Sequence, residues 1–138
     1  MKRPASSAFL DTSYIVRYLT NDPQEMAAQA AAVIDSDEPL VLSEMALLET
    51  AYVLTSVYRV PRADIVDALM DLVQRSNLHL AHLTKPRVLA ALRLCRDSKR
   101  HSFTDALLWA QARDSGAERL YSFDRNFPDE GLTIIDFQ

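Results

Sequence analysis

Short apolar runs alternating with longer amphipathic stretches constrain this chain more than any other feature. Ala8-Phe9-Leu10, Leu40-Val41-Leu42, Leu78 to Leu83, Leu120 to Phe123 and Thr133 to Ile135 have the length and residue types of strands. Helical patterns fill the gaps. One carries Tyr14, Ile15, Tyr18 and Leu19 on a single face; an Ala-rich one opens at Pro23 and runs to about Ile34. Ser43 suits the cap of a third, reaching about Tyr58, and Pro61 opens a fourth with Ile65, Leu69, Leu72 and Val73 inward. Two more run from about Pro86 to Arg96 and from Phe103 to Asp114, the last stopped by Gly116. Strands separated by helices return in the same direction. The pattern therefore predicts an α/β fold: one domain over residues 1–138, with a central, mostly parallel sheet flanked by helices on both faces.

Composition narrows the class. With 49% hydrophobic residues and two glycines, the chain has enough apolar material for one core and too little glycine for a glycine-rich phosphate loop. One cysteine, Cys95, excludes an internal disulfide framework and a cysteine-rich zinc site. His79, His82 and His101 stand singly, without zinc-ligand spacing. Lys2-Arg3 resembles the start of a signal peptide, but Asp11 interrupts the apolar stretch, and no segment approaches the roughly 18 apolar residues of a membrane span. A cytoplasmic protein is expected, with no membrane partner.

Four carboxylates need an explanation. Asp11 directly follows Ala8-Phe9-Leu10, and Asp124 follows Leu120 to Phe123, which places both beyond the carboxyl ends of strands, where open α/β sheets bind ligands. Either could instead cap a helix, although Thr12 and Ser13 could relieve Asp11 of that duty. Glu49 has Met45, Ala46, Tyr52 and Val53 as helical neighbours, which predicts a carboxylate on an apolar face; a pair with Arg17 is the competing explanation. Asp105 closes Ser102-Phe103-Thr104-Asp105, a capping-box pattern, yet begins a helix rich in apolar residues. Acids among apolar neighbours shift their pKa, find a partner or bind metal. Four of them on one domain suggest a divalent-cation site.

The charge balance permits a polyanionic partner. The chain has 19 acids against 15 Lys and Arg; with the four candidate ligands set aside the numbers are equal. Six bases, Lys85, Arg87, Arg93, Arg96, Lys99 and Arg100, cluster with a single acid, Asp97, among them. They form either a phosphate-binding edge or an ordinary solvated face.

Phe9-Leu10-Asp11-Thr12-Ser13, Ser43 through Leu54, Ser102 through Leu108 and Tyr121 through Phe127 together resemble the PIN-domain nucleases, specifically the toxin subunits of bacterial and archaeal VapBC toxin–antitoxin modules. The likeness covers essentially the whole chain, and it rests on the order and spacing of motifs that are individually short. It implies that Asp11, Glu49, Asp105 and Asp124 bind Mg²⁺ or Mn²⁺ as the catalytic acids, with Thr12 or Ser13 orienting the first. Asn126 stands where some relatives carry a further acid, so it brings a carbonyl but no charge for a second metal. The resemblance further implies an endoribonuclease acting on structured RNA such as tRNA or rRNA, a cognate antitoxin seated in an apolar groove, and a homodimer, since relatives often dimerise. Tyr14, Ile15, Tyr18 and Leu19 serve either that groove or the core. Two alternatives remain at this level: a PIN nuclease of RNA processing or DNA cleavage with no antitoxin, and an α/β phosphoryl-transfer domain. The second would want acid and lysine patterns absent here.

Overall fold

In a computed structural model, which describes residues 6–136, six helices and five short strands follow the predicted alternation. Lys2 and Arg3, the residues behind the signal-peptide comparison, lie outside the described residues. The order is β1 (Ala8–Phe9), α1 (Thr12–Thr20), α2 (Gln24–Ile34), β2 (Leu40–Leu42), α3 (Glu44–Ser56), α4 (Arg62–Val73), β3 (Leu78–Leu80), α5 (Lys85–Leu94), α6 (Phe103–Ser115), β4 (Arg119–Tyr121) and β5 (Thr133–Ile135).

Every strand pairing is parallel. β2 lies between β1 and β3, with Phe9 opposite Val41 and Val41 opposite His79. β4 and β5 form a separate two-stranded ladder, Leu120 opposite Ile134. All three residues of β2 are buried, as an unbroken apolar run requires when helices cover both faces of a strand. Around it pack Ile15 of α1, Ile34 of α2, Leu47 of α3, Leu69 of α4 and Leu92 of α5.

The helix ends follow from local chemistry. Ser43 and Ser102 cap α3 and α6 through their hydroxyls, each accepting a backbone N–H from the first turn. Gly116 ends α6 at φ 81°, a left-handed conformation that costs glycine nothing. Gly131 also has positive φ, and a Cβ there would overlap the Arg113 guanidinium. That guanidinium and the Trp109 indole both donate to the Glu130 carbonyl, fastening the segment before β5 to α6.

β3 is shorter than the predicted Leu78 to Leu83. Its pairing stops at Leu80 because the next free amides, those of His82 and Leu83, donate to Glu44 Oε2 at 2.9 and 2.7 Å. Glu44, only 5% exposed, is a buried carboxylate of the core. No expectation was attached to it. The available signal was its helical phase, since it precedes Leu47, Ala51 and Leu54 on the inward stripe of α3.

Candidate metal and nuclease site

β1 and β2 are neighbouring parallel strands, so the segments leaving their carboxyl ends, Asp11-Thr12 and Ser43 onward, emerge side by side. Asp11, Thr12, Ser43 and Glu49 line one open pocket of about 470 Å³, together with Phe9, Leu10, Met45 and Ala46. The sheet topology thus brings Asp11 and Glu49 together from positions 38 residues apart in sequence.

Of the two readings open for Asp11, the capping one holds: it caps α1, and neither Thr12 nor Ser13 takes that duty from it. Its Oδ2 accepts from the Ser13 backbone N–H at 3.2 Å and from the Ser13 hydroxyl at 2.5 Å. Those bonds, the hydroxyl's foremost, hold the carboxyl below its ordinary pKa. Ser13 therefore orients the first acid, while Thr12 lines the pocket beside it. Capping and pocket lining coexist in one side chain.

Glu49 corrects a second expectation. The buried stripe of α3 is Glu44, Leu47, Thr50, Ala51 and Leu54; Glu49 lies outside it, between Met45 at 82% and Tyr52 at 70% exposure. Met45 and Tyr52 face solvent with it, while Ala46 and Val53 are partly buried. No ion pair to Arg17 forms, and Arg17 Nε is buried without a hydrogen-bond partner.

Asp105 and Asp124 make the second pair. Ser102 accepts the Asp105 N–H at 3.0 Å, the first half of a capping box, which sets the acid in the first turn of α6. The Asp105 carboxyl meets that of Asp124, and its pKa is raised. Burial contributes most, then the hydrogen bond and like charge of Asp124; Ser102 and His101 oppose the shift. Asp124 follows β4 in a tight turn, where its Oδ1 accepts the Asn126 N–H at 2.8 Å and its carbonyl accepts the Phe127 N–H. His101 Nδ1 lies 2.6 Å from the Asn126 carbonyl, tying this turn to the segment that leads into α6. Buried Phe127 anchors it from below.

Among the described residues, none of the four acids forms an ion pair with lysine or arginine. Nor do any three His, Cys, Asp or Glu side chains converge closely enough to share an ion as they are placed. The acids form two pairs, Asp11 with Glu49 and Asp105 with Asp124, on elements linked by the packing of α6 against α3. Hard carboxylate oxygens with uncompensated charge fit a divalent cation by donor chemistry.

The chain's residues 8–130 match the family model described as PIN domain. The chain belongs to the PIN-domain family. Among solved structures, this PIN domain is similar to the Mycobacterium tuberculosis toxin VapC20, described as a sarcin–ricin loop cleaving toxin. The two are 25% identical over 88% of this chain and 92% of that one, with a TM-score of 0.41. No curated protein matches the chain. No helix among the described residues of the PIN domain is long and apolar enough to cross a membrane.

The basic stretch is divided by the PIN fold. Lys85 donates to the Arg75 carbonyl, and burial lowers its pKa. Arg87 pairs with Asp114 and lies over the Trp109 ring, while Arg96 pairs with Asp67 and Asp97. Arg93, Lys99 and Arg100 are exposed and, among the described residues, form no ion pair. Consecutive helix positions point in different directions, so six bases in one stretch do not make one edge. Cys95 is a core thiol whose pKa is pushed up by burial, and Trp109 is packed inside.

Proposed function

We propose that this PIN-domain chain is a metal-dependent endoribonuclease acting as the toxin of a toxin–antitoxin pair. The observation that carries the reading is the contact between Asp105 and Asp124, two acids crowded together without, among the described residues, a lysine or arginine paired to either. Mutual repulsion and partial burial disfavour two charges there unless a cation joins them. PIN nucleases generally use divalent metal ions, and Mg²⁺ or Mn²⁺ suits an all-carboxylate donor set.

Asp105 and Asp124 would hold the ion, with Asp11 and Glu49 facing it from the neighbouring pocket. The chemistry that a bound cation would supply is charge neutralisation at the attacked phosphate and a lower pKa for attacking water. The protein's own residues do the positioning. Ser13 fixes the Asp11 carboxylate, Ser102 fixes the first turn of α6, and the turn from Asp124 to Phe127 fixes the fourth acid. Asp105, with its raised pKa, must lose its proton before it can serve as a ligand, so cleavage should weaken at acid pH. Thr12 and Asn126, at the pocket and beside Asp124, contribute polar contacts without charge.

An antitoxin would use a different face. Ile15 of α1 is wholly core, but Leu19 lines a cleft of about 230 Å³ with the partly exposed Tyr58 and Val60, over buried Leu54 and Ile65. Partly exposed apolar side chains between helices suit an amphipathic segment of a partner.

The test is cleavage of a labelled tRNA and rRNA pool by purified protein with Mg²⁺ or Mn²⁺, with EDTA, and with Asp105→Asn. Discrete cuts that need metal and vanish in the variant are expected. A wild type that binds metal but leaves all RNA intact would overturn the nuclease reading.

A further inference from the structure

A second, larger groove adjoins the acidic site and has the opposite charge. Its volume is about 710 Å³, and it lies between the carboxyl-terminal half of α3, the start of α4 and the segment leading into α6. Arg59, Arg62 and Lys99 line it, and no acid does; the pocket of Asp11 and Glu49 has acids and no base. The two surfaces are joined through the chain. Tyr52 sits one helical turn beyond Glu49, and Phe103 and Thr104 immediately precede Asp105.

The groove's three bases have different tasks. Arg62 donates to the Cys95 and His101 carbonyls and lies over the Phe103 ring at 4.8 Å, so it builds the floor. Arg59 and Lys99 are exposed, and among the described residues neither makes an ion pair. Arg59 also has φ 55°, a left-handed conformation unfavourable for a residue with a Cβ, at the turn between α3 and α4. Tyr52 lines the same groove with 70% of its surface exposed. An exposed aromatic ring beside two free cations is the combination that holds single-stranded nucleic acid: bases stack on the ring and phosphates meet the cations.

We infer that this groove is the subsite for the RNA strand flanking the scissile phosphate, with Arg59 and Lys99 taking backbone phosphates and Tyr52 stacking a base. The inference rests on the nuclease reading and adds the path by which the substrate leaves the acids. Those acids repel a polyanion; the adjoining cations offset that repulsion without entering the chemistry.

Binding of a fluorescein-labelled, mixed-sequence, short single-stranded RNA would be followed by anisotropy in EDTA, where no cleavage occurs, from about 50 to 200 mM salt. Arg59→Glu/Lys99→Glu should weaken binding at least tenfold at low salt. It should also flatten the slope of log affinity against log salt by about 1.4, the value for two lost single-strand phosphate contacts. Tyr52→Ala should weaken binding at least fivefold while leaving that slope unchanged. Arg59→Lys/Lys99→Arg, which keeps both charges, should bind as wild type. Arg119→Glu, the same charge reversal on β4, should not change the slope.

An unchanged slope in the double reversal would overturn the groove, as would a wild type that cuts RNA with Mn²⁺ but shows no binding in EDTA. Retained RNA binding in the reversed protein, with a sedimentation coefficient falling to that of a monomer, would reassign the groove to a contact between copies. Absence of Mn²⁺-dependent cutting by the wild type, with groove binding intact, would overturn the nuclease reading and leave the groove standing.

Discussion

Glu44→Ala should be among the most damaging single changes outside the hydrophobic core, and its cost can be worked from four features. The Leu83 N–H that donates to Glu44 Oε2 at 2.7 Å is buried, so losing its acceptor costs about 1–3 kcal/mol. The His82 N–H at 2.9 Å belongs to an exposed residue and can turn to water, for about 0.5 kcal/mol. One buried methylene, Cγ, vanishes at about 0.8 kcal/mol, since alanine keeps the β-carbon. Against this, Glu44 Oε1 is buried without a partner, and removing it returns about 1 kcal/mol. The net is a loss of about 1–3 kcal/mol, or roughly 5–10 °C in Tm for a chain of this length. Glu44→Gln retains one carbonyl oxygen for both amides and should lose less than about 1 kcal/mol. Urea unfolding of the three proteins, read by circular dichroism with a common m-value, measures both differences. An alanine variant within about 0.5 kcal/mol of wild type would refute the reasoning, because it would mean that water already serves the 82–83 backbone.

Asp11→Asn should separate folding from metal binding. Asparagine caps helices as well as aspartate does, so the metal-free Tm should hold, while the rise in Tm on adding Mn²⁺ should shrink; Asp11→Ala should lower the metal-free Tm as well. Asp105 has a pKa above that of an unfolded aspartate, so the folded protein binds more protons in the window that starts at about 3.9. Metal-free stability should therefore fall as pH rises from there through the folded pKa. Asp124→Asn should make that decline shallower but not abolish it, since burial contributes most to the shift; pH-resolved denaturant melts read both. Arg62→Ala, by losing bonds to the Cys95 and His101 carbonyls and the contact with Phe103, should cost about 2–3 kcal/mol in the same unfolding assay.

The architecture was legible in the sequence because apolar period and cap chemistry point the same way at each element. Leu40-Val41-Leu42 suits a covered strand, Ser43 and Ser102 suit caps, and Gly116 suits a helix stop. The grouping of strands was not legible: nothing in Leu120 to Phe123 says that β4 pairs with β5 apart from the other three. Site chemistry was legible as a set of acids and less so as environments. Glu49 has apolar neighbours in the chain, yet neighbours on an exposed face are apolar too, and period alone does not say which stripe turns inward. Glu44 drew no expectation, because its burial depends on amides 38 and 39 residues away. The basic stretch is divided for the same reason, since Asp67 and Asp114 on other helices take Arg96 and Arg87.

Anomalous scattering from crystals soaked in Mn²⁺ tests the central claim most directly. The account predicts a peak between Asp105 and Asp124, within about 2.0–2.4 Å of their oxygens, with Asp11 or Glu49 turned toward it. Crystals that take up Mn²⁺ elsewhere, or not at all, while Asp105 and Asp124 keep their mutual hydrogen bond would contradict it.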